Sequence, residues 1–480
     1  MTQLGEVLKP IMMFGPELGL LFILILHLMF HLFSTIAPKN FIRSSVLGLL
    51  LVSVMLWLVF PYAGNGLYGM FRLNPLATFL KGLFTFSGIA TLLMAGEFTE
   101  KLGDRANDFC LIVLTALFGS FFLASSNDLI TLFVTIEWIT ISLYILTTFL
   151  KQDAASLEAG VKYLIVGAFS SALFLYGISF VYGSVGSLFF SEIRQVASAG
   201  TNSLLMVGFF LILAGIGFKV AMFPFHLWVP DVYEGAPTPT TAFLSVTSKT
   251  AGFTALLKLL FLAVGTEFVN WPYLLLFLSS ITLIYGNLAA LRQTNMKRLF
   301  AYSSLSHVGY LLMGVAVANR LGVEATMYYL IAYAFSNSAA FLVIVIANRE
   351  LGSGEILAYR GLAKKSPYLS GIFFIALLSL GGIPPLAGFF AKFLILNAVV
   401  TSGYLWLALI GAVNVVISLY YYLSIIKEMY FKQPTSKDKI GLSPSIRVFL
   451  FCLAAGIILL GIVQEPVLQM VRFSTSVLFR

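Results

Sequence analysis

The chain has 480 residues, 59% of them apolar and only 10% charged, against roughly 25% charge in an ordinary soluble domain, so a soluble globule is excluded. At about 20 apolar residues per helical crossing of a bilayer, this composition suffices for roughly fourteen spans. The formal charge of +9 is carried by no basic run interleaved with aromatics, which excludes a nucleic-acid surface and leaves membrane orientation as the meaning of the basic residues.

Apolar runs bounded by charge, Gly or Pro predict helices at 11–33, 42–62, 72–95, 109–125, 128–150, 158–184, 202–227, 239–265, 271–291, 297–319, 324–348, 369–400, 403–428 and 445–464. The first contains Glu17 and is too long for a signal-peptide core. No stretch alternates as a membrane β-barrel strand does. The expectation is an all-α polytopic membrane protein of about fourteen transmembrane helices forming a single membrane domain over 1–480. Cys110 and Cys452 lie far apart in apolar runs, without zinc, iron–sulfur or disulfide spacing.

Lys and Arg divide unevenly among the connections. Odd-numbered connections and their flanks carry Lys39, Arg43, Lys101, Arg105, Lys151, Arg292, Lys297, Arg298, Arg349, Arg360, Lys364, Lys365, Lys427, Lys432, Lys437, Lys439 and Arg447, whereas even-numbered ones carry Arg72, Arg194 and Arg320. By the positive-inside rule the odd connections face the cytoplasm, and both termini face the other side.

Two predicted helices are interrupted by proline. Pro224 stands in the seventh, within Lys219-Val-Ala-Met-Phe-Pro224-Phe-His226-Leu-Trp-Val-Pro230, and Pro384 and Pro385 stand in the twelfth. Proline removes a backbone donor and clashes with the carbonyl four residues earlier, and the freed groups are tolerated at membrane depth only inside protein or beside water. Each break is fourth in a set of five helices, 4–8 (109–265) and 9–13 (271–428), which suggests the inverted repeats of ion transporters; helices 1–3 (11–95) and 14 (445–464) flank them. Ordinary proline kinks are the alternative. The freed carbonyls are expected to hold water beside Lys219 and upstream of Lys392.

Six lysines fall within predicted spans: Lys81, Lys162, Lys219, Lys249, Lys258 and Lys392. Among acidic residues, Glu137 lies deep and Glu17 near a helix start. Each such charge costs about 2.5–3.5 kcal/mol at the bilayer centre, so the set needs a reason. Glu137, Lys249 and His307 are nine or ten residues from their helix ends, roughly 13–15 Å inside a core about 30 Å thick. Lys219 and Lys392 neighbour the breaks. Lys162 is one turn from Glu158 and can snorkel if its helix begins there. Lys81 and Lys258 are read as snorkelling or structurally paired, with Lys258 on the face opposite Lys249. A row of Lys with one Glu and one His suits a proton path, because burial and a neighbouring carboxylate push a lysine's proton affinity in opposite directions. Static buried ion pairs are the competing explanation.

The run from Pro224 to Lys249, with Asp231-Val-Tyr-Glu234-Gly-Ala-Pro-Thr-Pro239 inside it, resembles the signature of the antiporter-like membrane subunits of respiratory complex I, NADH:quinone oxidoreductase, in its subunit N form. Ala301-Tyr-Ser-Ser-Leu-Ser-His307-Val-Gly-Tyr310 and Gly381-Gly-Ile-Pro384-Pro385-Leu-Ala-Gly-Phe-Phe-Ala-Lys392 match the same family. Lys392 stands where subunit M has Glu, and no long lateral helix follows the last span as in subunit L. The resemblance implies a proton-translocating module with Glu137, Lys162, Lys219, Lys249, His307 and Lys392 along a hydrated midplane axis, Glu137 tuning the lysines and Lys392 facing the outlet. Asn74 stands where an acidic residue is expected. The resemblance also implies a bacterial inner membrane location and neighbours that include subunit M and the small subunits K and J. It places NADH, FMN, iron–sulfur clusters and quinone in partner subunits, leaving no cofactor, metal or redox centre in this chain. Two other functions remain open: an Mrp-type cation/proton antiporter subunit, and a structural membrane spacer.

The charge asymmetry makes a topological prediction. A cysteine introduced at Lys364 or Lys437 is labelled only from the cytoplasmic side and one at Arg480 only from the other; labelling of all three from one side would mean that the helix count is off by one.

Overall fold

The computed structural model describes residues 13–34, 36–200, 202–434 and 439–479. Lys9, Lys437, Arg480 and the first two positions of the predicted first helix lie outside the described residues. Fifteen apolar helices occupy the fourteen predicted places. They are α1 (Gly15–Phe33), α2 (Pro38–Val59), α3 (Pro75–Gly96), α4 (Ala106–Ser125), α5 (Leu129–Thr147), α6 (Ala154–Val185), α7 (Ser203–Val220), α8 (Thr238–Val264), α9 (Trp271–Ala290), α10 (Met296–Ala316), α11 (Arg320–Leu351), α12 (Pro367–Gly381), α13 (Ala387–Thr401), α14 (Leu405–Phe431) and α15 (Pro444–Ile462). Thirteen of the described helices are long and apolar enough to span a bilayer. The shorter pair α12 and α13 fills the twelfth place.

Local chemistry sets many of the starts. Asn74, Asp128, Asp153, Asn295 and Asn319 each accept a backbone N–H of the first turn, capping α3, α5, α6, α10 and α11. Asn74 therefore sits just outside its span, where an amide oxygen caps as well as a carboxylate would.

Both proline breaks are present, and the first is wider than expected. The seventh helix, predicted to reach residue 227, ends at Val220. Ala221 follows with φ +64°, then turns run to Trp228 before a short helix, Val229–Gly235. In the twelfth place Gly382–Leu386 separates α12 from α13. A third irregularity had no proline to announce it: α8 contains two π-helical segments, Leu244–Ser248 and Lys258–Val264, of the kind that often marks functional sites.

The chain forms two compact units. The first holds residues up to Val220, Thr247–Asn270 and the segment from Phe473; the second holds Ala221–Val246 and Trp271–Arg472. In the first, α6 and α7 cross where Gly177 and Gly208 meet. A Cβ on Gly177 would lie 2.7 Å from the Gly208 carbonyl oxygen and the reciprocal distance is 2.8 Å, so only glycine permits this approach. Large exposed apolar side chains such as Phe22, Trp57, Ile165 and Phe169 stud α1, α2 and α6, as lipid-facing helices require. In the second unit α10 and α11 are interior, buried all round.

The first unit also disposes of two lysines outside the proposed axis. Lys81 forms an ion pair with Glu17 and lies over the Phe71 ring at 5.1 Å, both charges inaccessible to solvent. Phe71 belongs to a two-stranded antiparallel hairpin, β1 (Gly64–Gly66) and β2 (Phe71–Leu73). Lys258 does not snorkel. Its ammonium donates to the carbonyls of Leu123 (2.9 Å), Ala124 (2.8 Å) and Ser126 (2.6 Å) and to the Ser126 hydroxyl (3.1 Å), a cation on the negative end of the α4 dipole.

Removing one member of the Glu17–Lys81 pair strands the other charge. Glu17→Leu alone is expected to cost about 3–5 kcal/mol of stability, and Glu17→Leu with Lys81→Met to recover most of it, read as thermal unfolding of the purified protein.

Candidate functional site

In the first unit α5 brings Glu137 and Thr140, one turn apart, to the end of α7. Lys219, the penultimate residue of α7, donates to Glu137 Oε1 at 3.2 Å and to Thr140 Oγ1 at 2.8 Å. Glu137 Oε1 also accepts the Ser171 hydroxyl of α6 at 2.7 Å. The side chain of Lys219 is 5% exposed and that of Glu137 20%. The carboxylate opens onto an open groove of about 560 Å³ between α5 and α6, lined by Tyr144, Thr148, Gly160 and Ser171 and walled by the outward-facing Ile141, Val161 and Leu164. Lys249 is buried and directly follows the first π-helical segment of α8. Its neighbours tie it to two other helices. Ser248 donates to the Lys219 carbonyl at 3.5 Å, and Thr247 shares a 2.5 Å hydrogen bond with Ser87 of α3.

Lys162 is not brought to this cluster. It pairs with Glu158 at 2.8 Å on the outer surface of α6, its side chain 45% exposed. Ser171 faces Glu137, and nine residues at about 100° each put Lys162 on the opposite side of the same helix.

In the second unit His307 of α10 is flanked by two phenols: Nδ1 is 2.7 Å from the hydroxyl of Tyr329 on α11 and Nε2 is 3.3 Å from that of Tyr422 on α14. Tyr422 also bonds Ser303 at 2.5 Å. Lys392 of α13 points back at the break, donating to the carbonyls of Leu380 and Gly381 at 2.9 Å each and lying over the Tyr310 ring at 5.2 Å. The carbonyls that the break frees upstream of Lys392 thus accept the lysine itself. A cavity of about 10 Å³ lies between His307, Tyr329, Ser336, Ser379 and Leu380, close to the space one water needs.

The acidic residues of the loop motif serve a different purpose. Asp231 and Glu234 both accept from Arg298 Nη1, at 3.0 and 2.7 Å, and Lys297 donates to the Ala236 carbonyl at 2.9 Å. The motif thus clamps the first turn of α10, the helix that carries His307. Sequence reasoning missed Thr140, Ser171, Ser303, Tyr329 and Tyr422. Thr140 had a signal in its spacing of three from Glu137; the tyrosines, 22 and 115 positions from His307, had none.

Residues 126–418, more than half of the chain, match a family model described as NADH:quinone oxidoreductase/Mrp antiporter, TM. The chain belongs to this family. NADH-quinone oxidoreductase subunit N of Moorella thermoacetica is 42% identical over 406 residues, which is 84% of this chain and 85% of that one. A chain of respiratory complex I from Thermus thermophilus aligns with a TM-score of 0.82 at 30% identity, over 95% of this chain and 98% of that one. A chain of the Mrp complex from Dietzia sp. aligns with a TM-score of 0.87 at 18% identity, over 97% of each, a likeness of fold alone. The family is shared by quinone oxidoreductases and antiporters, and the relatives of higher identity are on the oxidoreductase side.

Gly382 shapes the break around Lys392. Its φ is +89°, and a Cβ there would meet the lysine's Cδ at 3.0 Å. Gly382→Ala is expected to destabilise by about 1 kcal/mol or more, seen as a lowered thermal midpoint, since the added carbon meets both backbone strain and the lysine stem.

Proposed function

We propose that this chain is a proton-translocating membrane subunit of a quinone-reducing complex, coupling quinone reduction by NADH elsewhere in that complex to proton movement through its own buried polar residues. The observation that carries this reading is the Glu137–Lys219 pair. The two groups meet in an apolar span, braced by hydroxyls from α5 and α6, with the carboxylate open to the groove between α5 and α6 and the ammonium closed off. An ammonium in contact with a carboxylate keeps its proton; one stripped of its counter-ion in an apolar setting releases it. In this reading the 3.2 Å contact with Glu137, beside the 2.8 Å contact with Thr140, is the one that opens and closes as a proton passes Lys219.

In this reading Lys249 receives the proton next, and His307 and Lys392 carry it within the second unit. Lys162 works from the outer surface of α6, where a neighbouring subunit or the lipid interface meets it. Pro224, Pro384 and Pro385 hold open the turns beside Lys219 and Lys392. The breaks are steric and electrostatic devices: they place carbonyl dipoles where a lysine changes charge.

The partners are other membrane subunits of the complex, and we assign subunit M and the small subunits K and J as the neighbours. NADH, FMN, iron–sulfur clusters and quinone belong to other subunits, this chain supplying no redox centre. It is a multi-pass protein of the bacterial inner membrane, with both termini on the non-cytoplasmic side by the distribution of Lys and Arg.

Glu137→Gln and Lys219→Ala are each expected to abolish most proton pumping in the assembled complex reconstituted into vesicles, with quinone reduction falling in parallel where coupling is tight. Unchanged pumping by an intact variant complex overturns the reading.

A further inference from the structure

We propose that Tyr329 and Tyr422 are proton-relay residues on the two sides of His307, delivering to the water-sized cavity beside the Lys392 carbonyl cradle. The proposal rests on the preceding reading in one respect, that His307 lies on the proton path, and adds the entry and exit of that step.

His307 is buried, and both of its ring nitrogens lie within hydrogen-bonding distance of a phenol oxygen. A neutral imidazole has one N–H and one bare nitrogen, so the two tyrosines cannot play the same part: one phenol donates to the bare nitrogen while the other accepts from the N–H. Exchange of these parts is the passage of one proton. Beyond Tyr422 the chain continues to the Ser303 hydroxyl at 2.5 Å, one turn before His307 on α10. Beyond Tyr329 it continues into the cavity of about 10 Å³, where one water fits. The far wall of that cavity includes Ser379, bonded to Ser336 at 2.8 Å, and Leu380, whose carbonyl accepts the Lys392 ammonium at 2.9 Å.

The step balances as a relay. A proton arriving at the Ser303 oxygen displaces that hydroxyl's proton onto the Tyr422 oxygen, and the Tyr422 O–H bond breaks as an Nε2–H bond forms. On the other side the Nδ1–H bond breaks as its proton reaches the Tyr329 oxygen, whose own proton passes to the cavity water as that water releases one toward Lys392, whose amine accepts it in the part of the cycle when it is neutral. One proton enters, one leaves, and no tyrosinate accumulates because each phenol gains as it gives. The imidazole ends in the other tautomer, and the relay accepts the next proton in the same sense only after Nε2 has given up its proton and Nδ1 has regained one, an exchange that rotation of the hydroxyls alone does not make.

Aromatic packing alone does not account for this arrangement. Phenylalanine would fill the same volume, whereas here two hydroxyls from two helices converge on the two nitrogens of one ring.

The test compares His307→Gln, Tyr329→Phe and Tyr422→Phe in the whole complex reconstituted into vesicles. Tyr359→Phe serves as the control, because its buried hydroxyl bonds Asn348 at 2.7 Å and takes no part in the relay. Each tyrosine variant is expected to slow proton translocation on the order of tenfold or more while assembly and thermal midpoint stay near those of the control. Incorporating 3-fluorotyrosine at 329 or 422 is expected to restore translocation with a rate and solvent deuterium isotope effect that follow the changed phenol acidity. Normal pumping by both phenylalanine variants, with His307→Gln impaired, overturns the relay and leaves the path through His307 standing. Normal pumping by His307→Gln overturns the underlying reading and the relay with it. Restoration by 3-fluorotyrosine with an unaltered rate and isotope effect assigns the hydroxyls a structural role and also overturns the relay.

Discussion

The desolvation of charge governs this molecule. A lysine in an apolar span cannot keep its proton without oxygen atoms close by, and four of the six intramembrane lysines meet that demand in different ways. Lys81 uses a carboxylate alone, Lys219 a carboxylate and a hydroxyl, Lys258 three carbonyls and a hydroxyl, and Lys392 two carbonyls. The partners separate the roles. Glu17 with Lys81 is sealed from solvent, and Lys258 has four acceptors in fixed backbone and cap geometry, so both are structural. Glu137 with Lys219 is instead partly exposed, its carboxylate edge open to the groove between α5 and α6.

The irregular backbone follows from the same constraint. An unbroken helix consumes its own carbonyls and has none to offer a cation. Ending α12 at Gly381 frees the two that hold Lys392, and ending α4 at Ser125 frees those that hold Lys258. The π-helical segments on either side of the Lys249 turn locally alter the carbonyl ladder of α8 without proline. Helix ends inside an apolar chain are here the sites of charge, and the glycine at position 382 is required by the shape of one of them.

Family membership and geometry constrain the function from different sides. Membership in the oxidoreductase and antiporter family describes what such chains do as a class. Geometry then separates two lysines of neighbouring helices: Lys219 is buried against Glu137, whereas Lys162 stands on the outer face of α6 beside Glu158. The loop motif divides the same way. Its Asp231 and Glu234 clamp Arg298 and so fix the start of the helix carrying His307.

Hydropathy, proline and motif spacing are local properties that survive without a fold, so the helix places, both proline breaks, most of the buried lysines and the family were legible in the residues alone, whereas the exposure of Lys162 and the burial of Glu324 were not. The pairing of Lys81 as a structural residue was legible too, as a choice between two bland fates. Only the tertiary structure decided which oxygen each lysine meets, that α7 stops at Val220, and that Tyr329 and Tyr422 flank His307. The reason is geometric. The pairings of the buried lysines and of His307 join residues 11 to 135 positions apart, and an error of two residues at a helix end rotates a face by about 200°, so the sequence could supply the charges while the packing of helices alone could choose their partners.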